Sequence, residues 1–225
     1  MKKQAGFTLV EIAIVLVIIG LLLGGILKGQ EMITQAKIKN VMADFSGISA
    51  AYHGYQDRYR AIPGDDLNAA TRWVTTPVTI AGNGNGVVAG TYNNAGAVCT
   101  TAVESCSFWD HLRKAGFVSG NGPTQPFNAL TGQIGVQTGD GSATPAPTLL
   151  DGATGPGFVG LIMCSANLPD KIAIAVDTQM DDGIAGKGTL RALLQTGPNP
   201  ATGVVAATAA YAETSSNIYV ICRAL

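Results

Sequence analysis

The chemically most distinctive residue of the chain is Glu11, the one acidic residue in a long apolar run near the N-terminus. The sixteen residues from Ile12 to Leu27 carry no polar side chain, and Phe7 to Leu27 is a segment of 21 residues. As a helix that rises ~1.5 Å per residue, this segment would be roughly 32 Å long, enough to cross the hydrocarbon core of a bilayer. A carboxylate in such an apolar segment is unfavourable unless it is paired. Glu11 is therefore a candidate functional residue, and it needs a partner.

The residues around the apolar run predict its orientation and its processing. Lys2 and Lys3 precede the run and favour a cytoplasmic N-terminus, while Lys28 follows it. An ordinary secretory signal has a small-residue cleavage site after its apolar stretch. Here the small residue, Gly6, lies before the stretch, so cleavage at this point would leave the hydrophobic helix on the mature protein.

The N-terminal sequence KKQAGFTLVE, residues 2–11, resembles the class III signal of type IV pilins and type II secretion pseudopilins. The resemblance implies cleavage between Gly6 and Phe7 by a prepilin peptidase, followed by N-methylation of Phe7. It also implies that Glu11 pairs with the N-terminal amine of a neighbouring subunit during assembly. The partners implied are an inner-membrane assembly platform and further copies of the chain in a helical filament, with no cofactor.

A periodic apolar stripe predicts that the helix continues well beyond the apolar run. Its members recur at intervals of three and four residues and are Val41, Phe45, Ile48, Tyr52, Tyr55 and Tyr59. Pro63 predicts the end of the helix. The expected fold class is therefore α+β, with a long N-terminal transmembrane and stalk helix packed on a small antiparallel β-sheet domain. The predicted divisions are a leader (1–6), a membrane and assembly helix (7–27), an amphipathic stalk helix (28–60) and a globular extracytoplasmic domain (61–225).

The globular part shows weaker patterns. Short helices are predicted at residues 65–73 and 107–115, and strands at 158–164, 171–176 and 218–221. Residues 189–194 fit a strand or a helix. Residues 119–157 are rich in Gly, Thr, Pro and Ala and predict a long surface loop.

The four cysteines are Cys99, Cys106, Cys164 and Cys222, and they allow three disulfide connectivities. Disulfides are permitted because the predicted orientation places the globular domain outside the cytoplasm. We favour a local Cys99–Cys106 bridge and a Cys164–Cys222 bridge between two strands.

Other residues with chemical potential carry no catalytic assignment. His53 and His111 are interpreted as surface or packing residues. Asp177, Asp181 and Asp182 predict a structural turn, with calcium binding as the alternative, although the spacing departs from an EF-hand loop. No metal site is assigned, and no common hydrolase, metalloprotease or P-loop motif is present. We therefore expect a protein that is not an enzyme.

Charge and composition restrict the function further. Fourteen basic and fifteen acidic residues give a net charge of −1, which argues against nucleic acid as a partner. The leading hypothesis is a structural subunit of a type IV pilus or a related filament. The alternatives are a pseudopilin of a type II secretion system and a ligand- or DNA-binding minor pilin. The expected location is the inner membrane, by a single span, before assembly and then a surface pilus or a periplasmic pseudopilus.

Overall fold

The fold is that of a computed structural model, which describes residues 8–74, 79–93, 103–140, 157–199 and 210–225. Its elements in chain order are α1 (Leu9–Tyr59), α2 (Ala69–Arg72), α3 (Glu104–Lys114), β1 (Ile134–Asp140), β2 (Val159–Pro169), α4 (Asp170–Met180), β3 (Leu190–Leu194) and β4 (Ile218–Ala224). One long N-terminal helix and a small antiparallel sheet confirm the predicted α+β class. The chain divides into two compact units, Met1–Lys37 and Ile38–Leu225.

The described part of the first unit is the apolar half of α1. Every residue from Thr8 to Lys28 is exposed. A window of 18 residues in α1 has a mean hydropathy of 2.8, and none of that window is buried. Within the described ranges, α1 is the one helix that is long and apolar enough to cross a membrane by length and composition.

In the second unit, α1 buries one face in the core. Its buried residues are Ile38, Val41, Phe45, Ile48, Ala51, Tyr52 and Tyr55. The predicted stripe is therefore confirmed, with Tyr59 half-buried at its end. The helix ends at Tyr59, ahead of Pro63, as predicted from the restriction that proline places on the preceding residue.

The four strands of the second unit form one antiparallel sheet in the order β1-β2-β4-β3. Side chains alternate between its two faces. On β2, Leu161 and Met163 join the main core that contains the α1 stripe. Ile162 and Cys164 lie in a smaller cluster on the other face. The strands predicted at 158–164 and 218–221 are confirmed as β2 and β4, and the ambiguous segment 189–194 contains β3.

The prediction of a strand at 171–176 was wrong, because these residues belong to α4. Ile172, Ala173 and Val176 are buried, and their spacing places them on one face of a helix. Pro169 lies directly before the helix, where its fixed φ is compatible with a helix start. In the sequence, small and branched residues alternate over 171–176, and this alternation favoured a strand over the helical spacing.

The prediction of a loop throughout 119–157 was also wrong, since β1 lies within it. Gly135 and Gly139 argued against a strand in the sequence, because glycine is depleted in strands. Both glycines lie where another backbone segment approaches closely: an added Cβ at Gly135 would meet the carbonyl oxygen of Tyr92, and one at Gly139 would meet that of Phe158. The predicted short helices exist with shifted bounds, as α2 and α3.

Candidate functional site

The first turn of α1 is closed by reciprocal hydrogen bonds between Thr8 and Glu11. The backbone N–H of Thr8 donates to Glu11 Oε2 over 2.7 Å, and the Thr8 hydroxyl donates to the same oxygen over 2.8 Å. The backbone N–H of Glu11 is 3.3 Å from Thr8 Oγ1. This arrangement is a capping box, in which Thr8 is the N-cap and Glu11 the third helical residue. The local pattern T-x-x-E at residues 8–11 is the sequence signal of this capping box, and it was not among the predicted features.

The capping box holds the Glu11 carboxylate without neutralising it, because Thr8 supplies only uncharged donors. In the described ranges no cation pairs with Glu11. The side chain is exposed at the start of a helix whose next residues are apolar. Among the described residues, this carboxylate is therefore an uncompensated negative charge on an otherwise hydrophobic surface. Gly6 and Phe7 lie outside the described residues, so cleavage and N-methylation there remain predictions.

The structure brings together one of the two predicted cysteine pairs. Cys164 of β2 and Cys222 of β4 are directly opposed in the sheet register and are joined by a disulfide. Both side chains are fully buried. Cys106 is buried in α3, whereas Cys99 lies outside the described residues, so the Cys99–Cys106 bridge remains a prediction.

A buried carboxylate links α1 to the segment that follows it. Asp66 accepts hydrogen bonds from the Tyr55 hydroxyl over 2.7 Å and from the Arg72 guanidinium over 2.5 Å. Burial by itself would raise the pKa of Asp66, but hydrogen bonds from Arg72, Tyr55 and the Asn68 backbone outweigh it and hold this pKa below its usual value. The ion pair is thus positioned to fix the chain after the helix, and the sequence did not predict it.

His111 serves the same junction as a packing residue, as predicted. Its Nδ1 accepts a hydrogen bond from the backbone N–H of Gly64 over 2.9 Å. Its Nε2 is 2.7 Å from the carbonyl oxygen of Ile80, which identifies this nitrogen as the donor of the neutral ring. Burial lowers the pKa of His111 and keeps it neutral. His53, in contrast, is exposed on α1.

The acidic residues after β2 are arranged differently from the prediction. Asp177 lies within α4 rather than after a strand, and its ligand oxygen is within 4.8 Å of those of Asp181 and Asp182. Asp177 accepts a hydrogen bond of 2.7 Å from the Tyr211 hydroxyl, and Asp181 accepts one of 2.9 Å from the Leu190 backbone. Burial raises the pKa of Asp177. These bonds support a structural turn, and calcium binding remains a prediction.

Comparison with protein families identifies the first of these sites. The family model described as the prokaryotic N-terminal methylation motif matches residues 1–27, which makes this segment the class III prepilin signal of type IV pilins. No curated protein matches the chain significantly. The match contains Gly6, Phe7 and Glu11. Together with the long apolar helix and the small antiparallel sheet, it supports a protein of the type IV pilin or pseudopilin kind.

Proposed function

We propose that this protein is a structural, non-catalytic subunit of a type IV pilus or a pilus-like filament. A prepilin peptidase cleaves the chain between Gly6 and Phe7 and methylates the new amino terminus. The apolar helix holds the subunit in the inner membrane until an assembly platform adds it to the filament. The observation that carries the proposal is the Glu11 carboxylate, which has no cationic partner among the described residues, at the start of the exposed apolar half of α1 and inside the matched motif.

In this proposal the partner of Glu11 is the amino group of Phe7 in a neighbouring subunit. Within a hydrophobic filament core, a lone carboxylate and a lone ammonium are both unfavourable. Side-by-side helices neutralise both charges, but the desolvation of two ions offsets much of the attraction. The pair therefore fixes the axial register between subunits more than it adds to the stability of the filament.

The experiment compares Glu11→Gln with Glu11→Ala in cells that assemble the filament. Glutamine retains the side-chain acceptor of a capping box but not the charge, whereas alanine loses both. We expect both variants to be inserted into the membrane and cleaved, and both to be incorporated into filaments at least tenfold less than the wild type. Glu31→Gln is the matched control, because Glu31 is an exposed glutamate of α1 that pairs with Lys28.

Electron microscopy of sheared surface material and mass spectrometry of the N-terminal peptide provide the measurements. A peptide that begins with N-methylated Phe7 supports the proposed processing. Normal incorporation of Glu11→Gln alone would assign Glu11 a capping function and contradict charge pairing. Recovery of the native chain with Met1 attached would contradict the processing step.

A pseudopilin of a type II secretion system is the second candidate, because the same signal and helix serve both filaments. Deletion of the gene separates the two: loss of surface filaments supports a pilus, and loss of secreted enzymes supports a pseudopilus. A DNA-binding minor pilin is less well supported, since the net charge of −1 does not favour binding to phosphates.

A further inference from the structure

A cavity of about 330 Å³ lies in the second unit, where α1 ends. It is formed by the last residues of the helix, the segment 61–68 and the glycine-rich loop around residue 85. This volume lies at the small end of the range of about 300–1,000 Å³ typical of ligand sites, and it suits one small polar molecule. The cavity is separate from the N-terminal segment on which the proposed function depends.

The buried carboxylate of Asp65 holds the glycine-rich loop that forms one wall of the cavity. Asp65 accepts hydrogen bonds from three successive backbone N–H groups, those of Gly84 (2.6 Å), Asn85 (3.2 Å) and Gly86 (2.7 Å). Glu104 holds the same loop before and after these three residues, because it accepts hydrogen bonds from the backbone N–H groups of residues 83 and 89. An added Cβ at Gly86 would meet no atom within 4 Å, so this glycine leaves the wall open.

Tyr59 and Asn68 also line the cavity. Within the described ranges, neither the Tyr59 hydroxyl nor the Asn68 carboxamide forms a hydrogen bond with the protein, so both are available to a ligand. The Oδ2 atom of Asp65 accepts one hydrogen bond, from Gly86, and has the capacity for a second. A ligand that both donates and accepts hydrogen bonds would satisfy all three groups.

Arg60 adds a cation at the edge of the cavity and an unusual backbone conformation. Its φ is 54°, in the left-handed region where a helix end usually has glycine. Its side chain is 84% exposed, and its guanidinium forms an ion pair with Asp57 at 3.7 Å. Non-glycine residues in this conformation are strained, and such strain is concentrated at functional positions. The chain therefore keeps an arginine where glycine would be less strained.

These groups define the ligand that the cavity accommodates. Asp65 and Asp66 line it, and their negative charges disfavour a multiply charged anion such as phosphate. Oδ2 of Asp65, with one acceptor position open, suits a hydroxyl group of the ligand. Arg60 favours one carboxylate on the ligand. We propose that the cavity binds an acidic saccharide, with its ring hydroxyls at Asp65 and Asn68 and its carboxylate at Arg60.

The test uses the full-length chain in detergent micelles and isothermal titration calorimetry. The probe is methyl glucuronide, which has both hydroxyls and a carboxylate. Methyl glucoside lacks the carboxylate, and acetate lacks the hydroxyls. We expect methyl glucuronide to bind at least tenfold more tightly than either. Equal affinity for the three probes, or no binding of the glucuronide, would overturn the proposal.

Arg60→Gly separates binding from stability. Because glycine adopts a positive φ without strain, we expect an unchanged or higher melting temperature together with at least tenfold weaker binding of methyl glucuronide. Lys187→Ala is the matched control, since it removes one exposed positive charge from another part of the second unit. Unchanged affinity in Arg60→Gly, or an equal loss in Lys187→Ala, would contradict the assignment. None of these measurements requires filament assembly, so they succeed or fail independently of the proposed function.

Discussion

Tyr55, on the buried face of α1, donates its hydroxyl hydrogen to Asp66 over 2.7 Å and thereby joins the long helix to the segment that follows it. Asp66 is only 1% exposed, and Arg72 supplies the opposite charge. Removing Asp66 would leave the buried Tyr55 hydroxyl without its acceptor and the partly exposed Arg72 without its counter-charge, which costs more than the loss of an exposed pair. The junction at the end of α1 is therefore a sensitive point of the fold.

Asp66→Ala is expected to lower the free energy of unfolding by about 1–3 kcal/mol at neutral pH, the usual cost of leaving a buried donor without its acceptor, as measured by urea denaturation. The folded-state pKa of Asp66 is depressed, so the native state binds fewer protons than the unfolded state. This contribution is fully present above the unfolded pKa and is lost as the pH falls through the folded pKa. The variant should thus lose part of the acid sensitivity of the wild type.

Asp57→Ala is the control for this prediction, because the Asp57 and Arg60 side chains are both 84% exposed. Exposed pairs contribute about 1 kcal/mol at most, so a small effect is expected. A loss in Asp66→Ala no larger than in Asp57→Ala would show that the buried pair does not stabilise the junction.

His111→Gln is expected to flatten the dependence of stability on pH in the mildly acidic range. Burial lowers the folded-state pKa of His111, so protons bind to the unfolded state first. The contribution of neutral His111 to the free energy of unfolding is therefore fully present above about pH 6.5, the usual pKa of histidine. It decreases as the pH falls toward the folded-state pKa. Urea denaturation at a series of pH values measures this slope. His53→Gln, at an exposed position, should keep the wild-type slope, and equal slopes in all three proteins would contradict the prediction.

Replacing both Cys164 and Cys222 by alanine is expected to lower the free energy of unfolding by about 4 kcal/mol in the chain-entropy description, because the bridge closes a loop between residues 58 positions apart. Chemical denaturation of wild type and variant provides the comparison. A peptide map of the unreduced wild type should contain linked peptides with Cys164 and Cys222. Recovery of Cys164 linked to Cys106 would contradict the connectivity.

Gly135→Ala is expected to destabilise the second unit by about 1–3 kcal/mol, as overpacking of a core does. Its Cβ would collide with the carbonyl oxygen of Tyr92, so the backbone would have to move. Gly47→Ala is the matched control on α1, where an added Cβ meets no atom within 4 Å. Alanine there should raise helix stability by up to about 1 kcal/mol. Melting temperatures that change in the same direction would argue against the close approach at Gly135.

The N-terminal features of this protein were determined by sequence alone, because they depend on residues that are neighbours in the chain. The apolar run, the position of Glu11 and the helical stripe from Val41 to Tyr55 are local patterns. Their periodicity and hydrophobicity predict a helix without reference to any tertiary contact. The capping box of Thr8 and Glu11 was equally local and could have been predicted.

The tertiary structure decided the features that depend on residues far apart in the chain. β1 was hidden because Gly135 is needed where the backbone near Tyr92 crosses it, a contact that no local pattern reports. The loop held by Asp65 and the junction around Asp66 and His111 are likewise set by groups that meet only after folding. Because the side chains of Asp65, Asp66 and His111 are buried, each needs a hydrogen-bond partner. Burial depends on the whole fold, so the sequence does not report it locally.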